Sequence, residues 1–146
     1  MKRIIALAIL AVMAICAPVF ATYAERHTVS VTTAADGTAT AYTPVVTGKI
    51  SAVIYTKDGT TPYDNGVDFT ITAETTGQNI WVDTNVNATE TVAPRQATHG
   101  TDGAASLYAA AGTAVQAPIV LANERVKIVL AQGGNVKTGS FIIIVE

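Results

Sequence analysis

The chain has 146 residues and a mass of 15.1 kDa, the size of one domain. Nine Lys and Arg stand against eleven Asp and Glu, a formal charge of −2, and charged residues make up 14% of the chain, well below the usual share. That balance speaks against nucleic acid, which selects a clustered basic face, and 49% hydrophobic residues exclude a disordered chain.

The first element is a leader. Met1-Lys2-Arg3 is basic, Ile4 to Ala17 is apolar and uncharged, and Pro18 ends the run. Small residues follow at two cleavage positions, after Ala21 and after Ala24, which is the layout of a secretory signal peptide over residues 1–24. The apolar run is shorter than the about 20 residues that span a bilayer, so no stable membrane span is expected after processing. The alternatives are an anchor that stays attached and a start codon assigned too far upstream. Cys16 follows Ile15, where a lipidation signal needs a small residue. It is the only cysteine, so removal of the leader excludes disulfides, thiol catalysis and Cys-ligated zinc.

Residues 25–146 read as one β domain. After Ala21 there are 15 Val, 9 Ile and 22 Thr against 3 Leu. Val, Ile and Thr are stiff at χ1 and fit a pleated sheet. The expected fold is an all-β antiparallel sandwich or jelly roll of seven to eight short strands, preceded by the signal-peptide-like helix.

In chain order, Thr28 to Thr33 alternates as a strand, Asp36-Gly37 signals a two-residue hairpin, and Thr38 to Thr43 is the return strand. Pro44 marks the end of that strand as an edge or a bulge. Lys49 to Thr56 is the third strand, followed by turns at Lys57-Asp58-Gly59 and Asp64-Asn65-Gly66. From Val67 to Thr75 the alternation is cleanest, with Val67, Phe69, Ile71 and Ala73 on the core face. Asn79 to Val86 follows. Ala93 to Gly103 is polar and irregular. Ala104 to Ala111 predicts a short helix between Asp102 and Gly112. Ile119 to Leu121 is a short strand. Glu124 to Ala131 and Lys137 to Val145 predict a closing hairpin, its second strand buried on both faces at Phe141 to Val145.

The chemistry-bearing residues are few. His27 and His99 are the only histidines, none of the four serines after the leader lies in a Gly-x-Ser-x-Gly elbow, and no phosphate cradle or EF-hand spacing occurs. The expectation is no catalytic residue, no metal site and no cofactor. Asp58 to Asp68 is acidic enough to raise the question of an ion, and its residue types are also those of ordinary turns. Asn65-Gly66 is a deamidation-prone pair, and Asn87-Ala88-Thr89 is a glycosylation sequon. Arg95, His99, Trp81 and Tyr63 are candidate interface residues: Arg, Trp and Tyr are interface-enriched types, and the loop from Pro94 to Gly103, which carries Arg95 and His99, is the expected contact surface.

Four segments, HTVSVTTAADGTATAYTPVVTGKISAVIYTKDG, NGVDFTITAETTGQNIW, APRQATHGTDGAASLYAAAG and ANERVKIVLAQGGNVKTGSF, cover most of residues 27–141. Through them the chain resembles small virion structural proteins of tailed phages and prophages, of the head-decoration or cement kind. The resemblance implies a non-enzymatic chain that binds capsid or tail subunits and resides in the virion, and it brings no catalytic residues. A homo-oligomer is expected as well, because a sandwich has open edges and few charges are present to block them. The leader is foreign to a protein assembled in the cytoplasm. It points to the alternative, an exported periplasmic or extracellular β-sandwich for binding or adhesion, such as a domesticated prophage gene would encode.

Overall fold

The computed structural model describes residues 23–146. The predicted leader therefore lies outside the described residues, apart from Tyr23 and Ala24, which are exposed. Among the described residues every regular element is a strand, and no helix is long and apolar enough to cross a membrane.

The described residues form eleven strands: β1 (Glu25–Thr32), β2 (Ala39–Tyr42), β3 (Val46–Lys57), β4 (Val67–Ala73), β5 (Asn79–Val86), β6 (Glu90–Val92), β7 (Arg95–Ala97), β8 (Gln116–Pro118), β9 (Val120–Glu124), β10 (Val126–Ala131) and β11 (Thr138–Val145). One sheet has the order β1-β11-β3-β6, with β9 also paired to β3; a second has the order β2-β10-β4-β5; β7 and β8 form a ribbon of their own. All pairings are antiparallel.

The alternation in β4 is realised as read. Val67, Phe69, Ile71 and Ala73 are buried, while Asp68, Thr70 and Thr72 face outward. The central strand of the first sheet is β11, where Phe141, Ile142, Ile143 and Val145 are buried. The two sheets share one core, and its aromatic centre draws on both. Phe69 on β4 meets Tyr55 on β3 at 4.7 Å, Phe141 on β11 at 5.0 Å and Trp81 on β5 at 5.5 Å, all edge-on. Such pairs contribute about 0.5–1.5 kcal/mol each beyond burial of area.

Two expected hairpins are absent. Asp36-Gly37 does not pair β1 with β2, and Gln132 to Asn135 does not pair β10 with β11. Each segment instead carries the chain across from one sheet to the other. The reason is visible where the two crossings meet. Gly133 N–H donates to Gly37 C=O at 2.9 Å, and the Thr33 hydroxyl donates to Gly134 C=O at 2.6 Å and accepts Lys137 N–H at 2.9 Å. The crossings bond to each other, so their polar groups are satisfied without a hairpin ladder. Gly37 has φ +80°, and a Cβ there would lie 3.0 Å from Gly134 N, so the close approach requires glycine.

The predicted helix over Ala104 to Ala111 is also absent. Asp102 accepts Ala104 N–H at 3.0 Å as a turn, and the following amides bond across the chain: Ser106 to Thr98 at 2.9 Å and Tyr108 to Thr113 at 3.1 Å. An alanine run has high helix propensity but offers no apolar stripe to bury, so tertiary pairing decides its conformation. The strands beyond the expected seven or eight include β6, β7 and β8, three residues each, too short to show a period.

Candidate contact surface

Between Arg95 and Pro118 the chain leaves the two main sheets as an arm. At its base β7 pairs with β8, from Arg95–Pro118 to Ala97–Gln116. Pro94 and Ile119 are buried at its two ends, and Ile50 N–H donates to Ile119 C=O at 2.9 Å. The Gln78 side-chain amide donates to that of Gln96, tying the base to the β4–β5 turn.

Farther out the arm has three limbs. Ser106 sits in the middle one, donating to Thr98 and accepting from Val115, both at 2.9 Å, while Thr98 N–H donates to Val115 C=O, also at 2.9 Å. Gly100 to Gly103 turns the first limb into the second, and His99 bridges Ala105 there. Ala109 to Gly112 turns the second into the third, with Ala111 at φ 57° and Gly112 N–H on Ala109 C=O at 2.8 Å. The backbone of this excursion is thus largely self-satisfied.

The side chains are not. Leu107 and Tyr108 are 42% and 74% exposed, and the alanines at 104, 105, 109, 110 and 111 are exposed too. From Gly103 to Gln116 no residue is charged. Tyr42, Val45, Val82, Val120 and Val136 are exposed elsewhere on the surface; contiguous apolar patches, more than single side chains, mark interaction sites. Arg95 and His99 lie exposed on the first limb.

The structure thus brings two of the four candidate residues, Arg95 and His99, onto the arm, and places the other two in the core. Trp81 is buried, and its indole N–H donates to Asp83 at 3.3 Å. Tyr63 is buried against Gly139, stacks on Tyr55 at 5.8 Å and donates its hydroxyl to Val31 C=O at 2.6 Å. Burial pushes both phenols up, Tyr55 to about 12 and Tyr63 further. Tyr108 is, like Arg95, Trp81 and Tyr63, of an interface-enriched type in the sequence; Leu107 escaped the sequence reading because a helix was expected there.

Elsewhere the polar residues serve local structure. The aspartates of the 58–68 loop have separate partners: Asp58 accepts Thr60 and Thr61 N–H at 2.8 and 2.7 Å, Asp64 pairs with Lys137 at 3.8 Å, and Asp68 accepts Asn85 N–H at 3.0 Å and the Gln132 amide at 2.6 Å. Among the described residues no group of three or more His, Cys, Asp or Glu is placed to hold a metal. His27 lies on β1, 3.3 Å from Glu25, and shares no cluster with His99. Buried Glu124 accepts the N–H groups of Thr75 and Thr76 at 3.2 and 3.3 Å, holding the β4–β5 turn. Arg125 forms a two-pronged pair with Glu74 and lies 4.3 Å over the Tyr42 ring. In the sequon, the Asn87 amide donates to Asn85 C=O at 2.7 Å and the Thr89 hydroxyl accepts Lys57 N–H at 3.1 Å.

No family model matches the chain, and no curated protein matches it. Among solved structures, a crystal structure of FLHE overlaps 86% of this chain and 99% of its own, at 12% identity and a TM-score of 0.41, a likeness too slight to carry an argument about function.

Proposed function

We propose that residues 25–146 form a single β-sandwich with a non-enzymatic, structural role: a decoration or cement-type protein seated on capsid or tail subunits of a phage particle, as the sequence resemblance implies. The observation that carries this reading is the arm. It presents exposed Leu107 and Tyr108 on an uncharged ribbon with Arg95 and His99 beside it. A rigid β body with an apolar projection suits attachment to another protein. A specific interface buries about 1,600 Å² in total, and many copies on a particle add avidity. Self-association belongs to the same reading, because β1, β2 and β5 end their sheets with one side unpaired. Nothing in the proposal calls for a cofactor, a metal or nucleic acid.

The leader-like Met1 to Ala24 favours a second reading, an exported binding or adhesion protein. Mass spectrometry of purified particles and of periplasm and medium separates the two. The proposal expects the chain in particles at a fixed ratio to the major capsid or tail protein. Its absence there, with recovery from periplasm or medium beginning at Thr22 or Glu25, overturns the virion reading in favour of export.

A further inference from the structure

Asn-Gly is the dipeptide most open to deamidation, because glycine, with no side chain, leaves its own backbone nitrogen unshielded. The reaction is intramolecular. The Gly66 nitrogen gives up its proton to solvent and attacks Asn65 Cγ; the Cγ–Nδ2 bond breaks, and Nδ2 takes up a proton from water and departs as ammonia. Water then opens the resulting succinimide to aspartate or isoaspartate. Asn65 is exposed and sits in a loop, so on sequence and exposure alone it should react.

The surrounding contacts oppose this at both reacting groups. Gly66 N–H is directed at Asn87 Oδ1, 3.0 Å away, and at Val86 C=O, 3.3 Å away. It is therefore aimed at the β5–β6 connection and not at Asn65 Cγ. The other group, the Asn65 amide, is held by its oxygen: Lys57 Nζ donates to Asn65 Oδ1 at 3.1 Å and to Asn87 C=O at 3.0 Å. Nucleophile and electrophile are thus tethered to one residue, the first by the Asn87 side chain and the second, through Lys57, by the Asn87 backbone. The tether is itself fixed. The Asn87 amide donates to Asn85 C=O at 2.7 Å, Asn85 N–H donates to Asp68 at 3.0 Å, and Asn85 holds φ 58°, which asparagine tolerates.

We infer that Asn65 is a conformationally gated modification site: succinimide formation is blocked while Asn87 holds Gly66 and Lys57, and proceeds once the β5–β6 connection lifts from the 58–66 loop. Isoaspartate at position 65 would then record local opening, which is the low-energy motion expected of exposed loops.

The test follows deamidation of the Asn65 peptide by mass spectrometry in the intact chain, folded and in urea at the same pH and temperature. The expected result is many-fold slower loss of ammonia from the folded chain. Asn87→Ala, confirmed folded by circular dichroism, should move the folded rate toward the urea rate. Asn87→Asp keeps an oxygen to accept Gly66 N–H and should remain slow. Equal rates in folded and unfolded wild type overturn the inference, as does an Asn87→Ala rate unchanged from wild type or an Asn87→Asp rate matching that of Asn87→Ala. Hydrogen exchange at the Gly66 amide gives a readout free of any substitution: protection is expected, and exchange at the unprotected rate overturns the gate.

Discussion

Glu90, Asp36 and Asp58 show how single residues set the response of this chain to pH. Glu90, at the edge of the first sheet, has its carboxyl held above the ordinary 4.5 by partial burial and by neighbouring Asp83. Its folded form therefore binds a proton more tightly than its unfolded form. The stability it contributes is present below 4.5 and lost as the pH rises through the folded value. Glu90→Gln, always neutral, should keep that stability, so its Tm should exceed that of wild type at pH 7 and the difference should close below pH 4.5. An equal or lower Tm at pH 7 contradicts this. Asp36 and Asp58 run the other way. Hydrogen bonds from Thr38, and from Thr61 and Thr60, hold them below the ordinary 3.8. Their contribution is present above 3.8 and is lost as pH falls through the folded values, so the wild-type Tm should decline at the acid end even as the Glu90 penalty disappears. Core residues were the most legible in the sequence. Phe69 and Ile71 follow from strict alternation. Tyr63 and Trp81 did not, because an aromatic in a loop or beside a polar neighbour reads the same whether it packs inward or outward.

At the scale of elements, strands were legible where they are long enough to show a period, and connections were not. β4, β5 and β11 stand within a residue or two of their expected bounds. Asp36-Gly37 carries a strong hairpin signal, yet turn chemistry specifies only a local change of direction. Which strand receives the chain is decided by pairing more than a hundred residues away, where β1 meets β11. Thr33 is the residue that fastens the two crossings. Thr33→Val keeps the shape but removes the hydroxyl that serves Gly134 C=O and Lys137 N–H. Leaving such groups unpaired costs about 1–3 kcal/mol. Urea unfolding should show that loss with an unchanged m value; a change below about 0.5 kcal/mol, the range of ordinary surface substitutions, contradicts the fastening role. The arm was the least legible element. Its three-residue strands have no period, and its alanines favour helix locally while bonding across limbs in the fold.

For the whole molecule, the excess of Val, Ile and Thr over Leu was enough to specify an all-β domain, and residues 23–146 form one, with two antiparallel sheets over a shared aromatic core. Composition says nothing of where such a body makes contact, because contact depends on which residues the topology leaves uncovered. Here those include Leu107 and Tyr108 on the arm, between the two short strands that close its base. On the proposed function, the arm seats the protein on a particle surface. Because its base is closed by β7 and β8, replacing residues 99–114 by a short turn should leave the Tm within a few degrees of wild type. The deciding measurement is co-sedimentation of purified full and arm-shortened chains with particles lacking the protein. The full chain should pellet with particles at saturable stoichiometry and the shortened chain should stay in the supernatant; equal pelleting of both, or of neither, contradicts the claim.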